Sequence, residues 1–174
     1  AHLKNGMISD AQWQKLTPAA TKLSEAPIFI DDSLGLSVSY DLRGRARRLK
    51  KEHGIGLLMI DYLQLLRPVN GLAEVEERSQ EMSMFLKPLA KELSIPVIAV
   101  SQLRQWIDWR KRPVPRLSDL QESGIREQDA DVVMFTHWQA SAQKKSESNR
   151  LATEIIVAKN RRGSTGPVEV AFGS

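Results

Sequence analysis

Four apolar runs containing β-branched residues recur along the chain: Pro27-Ile28-Phe29-Ile30, Gly56-Leu57-Leu58-Met59-Ile60, Pro96-Val97-Ile98-Ala99-Val100 and Asp131-Val132-Val133-Met134-Phe135. They are apolar throughout instead of alternating, the pattern of strands covered on both faces of a parallel sheet. Between them, residues 39–53 place Leu42, Ala46 and Leu49 on one side of an arginine-rich surface. Residues 74–93 space Met82, Phe85, Leu86, Leu89 and Leu93 by three and four. Both segments are expected to be crossover helices. Pro88 removes a backbone donor and predicts a bend near Lys87. Upstream, residues 9–23 read as a helix begun by Ser9 or Asp10 and broken at Thr17-Pro18. At the other end, residues 153–159 and 167–172 read as two strands joined by Asn160-Arg161-Arg162-Gly163-Ser164-Thr165-Gly166, a hairpin with a basic, glycine-punctuated tip. Residues 104–119 and 138–150 are expected to be solvent-facing loops. The fold class is therefore α/β, a mostly parallel sheet flanked by helices with a C-terminal antiparallel hairpin.

At 174 residues the chain has room for one domain with a sizeable core. An apolar fraction of 41% and a charged fraction of 26% are those of a globular protein, and no stretch has the length of a membrane span. The absence of cysteine excludes disulfides and thiolate metal sites, and His2, His53 and His137 are too scattered for a zinc site. A balance of 25 basic to 21 acidic residues is compatible with a polyanionic partner without demonstrating one. The opening Ala1-His2-Leu3-Lys4 has neither an initiator methionine nor the layout of a signal peptide, so a truncated, cytoplasmic chain is expected.

The run ending in Asp61 carries the first chemical signal. Open parallel sheets present ligands at the carboxyl ends of their strands. A carboxylate there can hold Mg²⁺ against nucleotide phosphates, as in the Walker B arrangement of phosphate-loop ATPases; read alone, it is more often an ordinary strand-end residue capping the next helix. The run ending in Val100-Ser101-Gln102-Leu103 should finish at the same rim, where the amide of Gln102 can sense a γ-phosphate. Taken alone, a Ser-Gln pair is more often a turn. Lys159, Arg161 and Arg162 at the hairpin tip are either a solvated basic turn or cations that stabilise phosphoryl-transfer charge, as an arginine finger does from a neighbouring subunit. Residues 118–131 form a polar loop in which backbone N–H groups around Gly124 can hold a nucleic-acid phosphate. Ser118 and Asp119 capping a short helix is compatible with that use.

In order along the chain, Ile60-Asp61-Tyr62-Leu63-Gln64-Leu65, Val100-Ser101-Gln102-Leu103, Glu122-Ser123-Gly124 followed by Glu127-Gln128-Asp129-Ala130-Asp131, and Ala158-Lys159-Asn160-Arg161 resemble the DnaB family of hexameric replicative DNA helicases. The resemblance also takes in Pro27-Ile28-Phe29-Ile30-Asp31-Asp32 and the arginine-rich stretch 43–50, so that it covers nearly the whole chain. It implies a RecA-like fold and a single partial motor domain over 1–174, truncated on its N-terminal side. It implies ATP and Mg²⁺ as cofactors, with Asp61 as the Walker B carboxylate and metal ligand and Gln102 as the γ-phosphate sensor. Lys159 and Arg161 would reach the next subunit's nucleotide, Arg161 as the finger. Gln121, Glu122 and Gly124 would lie in the central-channel loop that follows single-stranded DNA. Implied partners are that DNA, the other subunits of a hexameric ring, primase and a helicase loader, with no membrane.

Two departures stand out. The family carries arginine where Gln121 stands and an aliphatic residue where Arg126 stands, so Arg126 is a candidate replacement phosphate contact. The sequence also contains no G-x-x-x-x-G-K-[S/T] loop and no following catalytic glutamate. Without that phosphate cradle the fragment is expected neither to hydrolyse ATP nor to bind it tightly alone. The family's N-terminal domain, which contacts primase and loaders, is expected to be missing as well. The competing reading is a non-catalytic RecA-like module binding single-stranded DNA or a partner, with Trp106 and Trp109 stacking on bases and Arg104, Arg110, Lys111 and Arg112 neutralising phosphates; those tryptophans also suit partly buried packing. A recombinase or clock-type RecA relative would share the core but should lack the Glu122-to-Asp131 block.

Overall fold

The computed structural model describes residue 6 and residues 8–33, 41–66, 75–103, 114–122, 125, 127–138 and 152–171. Of the side chains within these segments, those of 75–83, 121–122, 138, 152–153 and 171 are left out of the description. The chain divides into two compact units, Ala1–Ser33 and Leu34–Ser174.

The first unit contains α1, Asp10–Glu25. Ser9 caps it from an extended conformation, and its N–H donates to Gln12 Oε1 at 3.0 Å, the reciprocal half of a capping box. The helix is not broken at Thr17-Pro18: it runs through Pro18. The proline sits on an exposed face, where water reaches the backbone one turn earlier and softens the loss of a helical donor. Residues 27–30 do not form the expected buried strand. Ile28, Phe29 and Ile30 are exposed and make no ladder among the described residues.

The second unit holds the remaining elements: α2 (Arg43–His53), β1 (Leu58–Ile60), α3 (Val75–Leu93), β2 (Val97–Ala99), α4 (Leu117–Glu122), β3 (Val132–Trp138), β4 (Ala152–Asn160) and β5 (Gly166–Ala171). α2 ends at Gly54, whose φ of 64° closes the helix as only glycine does without strain, its N–H bonding to the Lys50 carbonyl at 3.0 Å. α3 continues through Pro88, which is again exposed. It connects β1 to β2, and the two strands pair parallel, Leu58 opposite Val97, Met59 opposite Ile98 and Ile60 opposite Ala99. β3, β4 and β5 form a separate antiparallel sheet in that order, with the hairpin β4–β5 as its second half.

One hydrophobic cluster underlies these elements. Leu42 just before α2 and Ala46 within it, Leu86, Leu89 and Leu93 from α3, Ile60 from β1, Leu63 beyond it, Leu120 from α4, Ile125, and Val133 and Phe135 from β3 are all buried in it. The α3 stripe therefore points inward as its spacing predicts, with Leu89 only 1% exposed; the side chain of Met82 lies outside the described residues. The strands are covered on one face only. Met59, Val132 and Met134 are all more than 40% exposed while their neighbours Ile60, Val133 and Phe135 are buried, so β1 and β3 alternate in burial although not in residue type; in β2 both Ile98 and Ala99 are exposed. A charged link joins α2 to α3 at the surface, where Glu92 accepts hydrogen bonds from both Arg47 and Arg43. The Arg47 bond foremost, then the Arg43 bond, holds the Glu92 carboxyl below the usual range.

Candidate functional site

Parallel pairing puts the carboxyl ends of β1 and β2 at one rim of the sheet. Asp61 follows the last residue of β1 and is exposed; Gln102 lies three residues beyond β2 and is exposed as well. Main-chain bonds stitch the two loops together: Val100 N–H donates to the Ile60 carbonyl and Leu63 N–H to the Val100 carbonyl, each at 2.9 Å. The Asp61–Tyr62 peptide is cis. Leu63–Leu65 then forms a 3₁₀ turn, anchored by the buried Leu63. That turn presents Gln64 to the neighbouring loop. Its Nε2 donates to Ser101 Oγ at 2.9 Å and to the Gln102 carbonyl at 3.3 Å, and its Oε1 accepts from Gln102 N–H at 3.5 Å. Gln64 was legible only as part of a motif; a polar residue between two leucines in an otherwise apolar block is the signal that singles it out.

The basic tip forms a second cluster. Val133 pairs with Lys159 but Met134 with Val157, so Ala158 is an extra residue on β4, a bulge that re-aims the end of the strand. Beyond it, Lys159 Nζ donates to the Glu127 carbonyl at 2.6 Å and Arg161 Nη2 to the Gln128 carbonyl at 2.9 Å. Arg161 Nη1 stands 3.2 Å from Asp131 Oδ1, which also receives Lys87 Nζ from α3 at 2.8 Å. The Lys87 bond foremost, with the charges of Arg161 and Arg162 assisting, holds the Asp131 carboxyl below its usual range. At the tip, the Asn160 side chain accepts from Arg162 N–H and donates to the Ser164 carbonyl, and a Cβ on Gly163 would come within 2.6 Å of Asn160 Nδ2. The bonds of Lys159 and Arg161 thus go to the 127–131 turn, not to the rim that carries Asp61 and Gln102. No pattern in the sequence marks Lys87 or Asp131 as an anchor of this cluster.

The polar stretch 118–131, expected as a loop, begins instead as helix α4 and ends in the 127–131 turn. Asp119, only 1% exposed, accepts from the Arg116 N–H at 2.7 Å and so caps α4 from inside its first turn, while Ile125 N–H bonds back to the Leu120 carbonyl. Gly124 and Arg126 lie outside the described residues, as do the side chains of Gln121 and Glu122 and all of Arg104, Trp106, Trp109, Arg110, Lys111 and Arg112. Among the described residues, no group of three or more histidine, cysteine, aspartate or glutamate side chains could hold a metal ion, and no helix is long and apolar enough to cross a membrane.

Against known proteins, residues 1–174 match the family model described as DnaB-like helicase C terminal domain. The chain is 44% identical over 172 residues to a replicative DNA helicase DnaB of Geobacillus stearothermophilus, and 43% identical over 176 residues to the replicative DNA helicase DnaC of Bacillus subtilis. Each alignment takes in 98% of this chain but 37% of the relative, so the chain spans little more than a third of the length of those curated relatives. Among solved structures, one described as an ATPase domain superposes with a TM-score of 0.85 at 38% identity, over 98% of this chain and 60% of that one. A DnaB-like replicative helicase, described with its interactions with primase, superposes at 0.83 and 39% identity, over 94% of this chain and 40% of that one.

Proposed function

The chain belongs to the DnaB-like helicase C-terminal domain family, with its RecA-like fold, and we propose that it is the C-terminal part of the motor of a hexameric replicative DNA helicase, an enzyme driving 5′–3′ unwinding by ATP hydrolysis. The observation that carries this reading is the parallel register of β1 and β2, which sets Asp61 and Gln102 at the same rim. Asp61 is the metal-holding carboxylate there. Mg²⁺ takes one or two carboxylates and completes its shell with phosphate oxygens and water, so a single exposed aspartate at a strand end fits it. When bound, the ion neutralises charge on the β- and γ-phosphates. Gln102 offers a neutral amide to the terminal phosphate. The phosphate cradle is not in these 174 residues, because no G-x-x-x-x-G-K-[S/T] occurs in them.

Lys159 and Arg161 act on the nucleotide of a neighbouring subunit. Their placement on a different sheet from Asp61, bonded to the 127–131 turn, supports a role outside their own subunit's rim. Gln121 and Glu122, which end α4, and Gly124 and Arg126 after them follow the single-stranded DNA backbone, in a stretch whose Leu120 and Ile125 are buried in the core. The remaining partners are primase and a loader, in the cytoplasm, and 1–174 is part of one motor domain. The test mixes full-length subunits carrying Asp61→Ala with subunits carrying Arg161→Ala. Each population alone should lack DNA-stimulated ATP turnover, and mixed rings should regain part of it, because some interfaces then join an intact Asp61 to an intact Arg161. Mixtures as inactive as their components would reject the trans assignment.

A further inference from the structure

We propose that Gln64 is a positioning residue that aims Gln102 at the terminal phosphate by holding its main chain to the Asp61 loop; this rests on the motor reading above. Gln64 bonds the peptide groups on both sides of the Gln102 α-carbon, accepting from its N–H and donating to its carbonyl. That is the pattern of one strand beside another, supplied by a side chain. It needs a donor and an acceptor on one planar group, which a carboxylate cannot offer and an apolar isostere lacks entirely. The third contact, to Ser101 Oγ at 2.9 Å, is the short one and fixes the amide plane. The two to Gln102 are longer, at 3.3 and 3.5 Å, and a pair of that length tightens when the loop it holds is drawn onto a ligand.

The arrangement gives the sensor loop a reference point. Past Val100 the strand has ended, and among the described residues the main chain of Gln102 has no ladder of its own. Leu63, buried and bonded to the Val100 carbonyl, roots the 3₁₀ turn in the core, and the turn starts directly after Asp61-Tyr62. Gln64 therefore refers the position of Gln102 to the carboxylate that holds the metal. An amide sensor displaced by an ångström loses most of its use, whereas a carboxylate on a separate rooted turn keeps its own.

Steady-state DNA-stimulated ATP turnover in the full-length helicase tests this with Gln64→Met, Gln102→Ala and the double variant. Gln64→Met should lower kcat on the order of 10- to 100-fold with KM for MgATP nearly unchanged. In the Gln102→Ala background it should lower kcat no further, because there is no amide left to aim. Hydrogen exchange without nucleotide should show the Gln102 amide exchanging faster in Gln64→Met while β2 stays protected. Ser101→Ala, which removes the short contact, should give a smaller kcat loss and serves if Gln64→Met does not assemble. Losses that multiply in the double variant, unchanged kcat in Gln64→Met and Ser101→Ala, or unaltered exchange at Gln102 would each overturn the proposal. A wild-type protein without DNA-stimulated turnover would remove the motor reading and this inference together; an active wild type with an indifferent Gln64 removes the inference alone.

Discussion

Arg161 and Asp131 are joined twice: the Arg161 main-chain N–H donates to the Asp131 carbonyl at 3.0 Å, and its guanidinium stands 3.2 Å from the Asp131 carboxylate. The main-chain bond fixes where the hairpin tip begins. The side-chain pair is exposed on both sides, 47% for Arg161 and 63% for Asp131, and such a pair is worth at most about 1 kcal/mol in water. The Arg161 side chain is thus tethered loosely where it stands, and the trans role proposed above would cost little to reach. Asp131→Asn should change unfolding free energy by less than about 1 kcal/mol in urea titration. A larger loss would mean that the Lys87–Asp131–Arg161 link holds the fold and does not merely park the arginine.

Among the described residues Leu89 is the best-buried apolar side chain, in the cluster shared by α2, α3, β1 and β3. Leu89→Ala should cost about 2–5 kcal/mol, the range for removing a fully buried leucine. Equilibrium denaturation reads this directly, and a loss well under that range would place the core elsewhere.

The Glu92 carboxylate between Arg47 and Arg43 titrates below its ordinary value when folded. An unfolded chain then takes up this proton at higher pH than the folded one, so the link favours folding above the ordinary glutamate value, about 4.3, and that contribution disappears as pH falls through the lower folded value. Unfolding free energies followed from pH 7 to pH 3 should fall less steeply in Glu92→Gln than in wild type. Parallel curves would show that the pair does not contribute to stability.

No phosphate cradle accompanies Asp61 and Gln102 in this sequence. Calorimetric titration of MgATP into the 174-residue chain alone should therefore give no micromolar binding. A clear micromolar isotherm would show that these residues build a nucleotide site unaided, and the division of labour proposed above would be wrong.

Much of the architecture could be read before any coordinates. Strands at 58–60, 97–99 and 132–138, the hairpin of β4 and β5, and the inward stripe of α3 follow from run length, β-branched content and helical spacing, which are local properties. Because consecutive strands joined by a helix run parallel, the shared rim of Asp61 and Gln102 also follows from order along the chain. The failures have physical causes. Apolarity states that Ile28-Phe29-Ile30 would gain from burial but not what would bury them, and here they are exposed. The same uncertainty applies to β1, β2 and β3, whose runs call for two covered faces where one is found. Pro18 predicts a break that does not occur, since a proline on a wet face costs a helix less than one facing the core.

The sequence by itself determined most of the strands and helices, which carboxylate and which amide follow the two parallel strands, and that the phosphate cradle is missing, because each is written in neighbouring residues. Only the tertiary structure decided that Gln64 holds Gln102, that Lys87 and Arg161 share Asp131, and that Lys159 rests on the Glu127 carbonyl. Those contacts join residues 30 or more positions apart, and they depend on strand register and one bulge, quantities that no local pattern of side chains encodes.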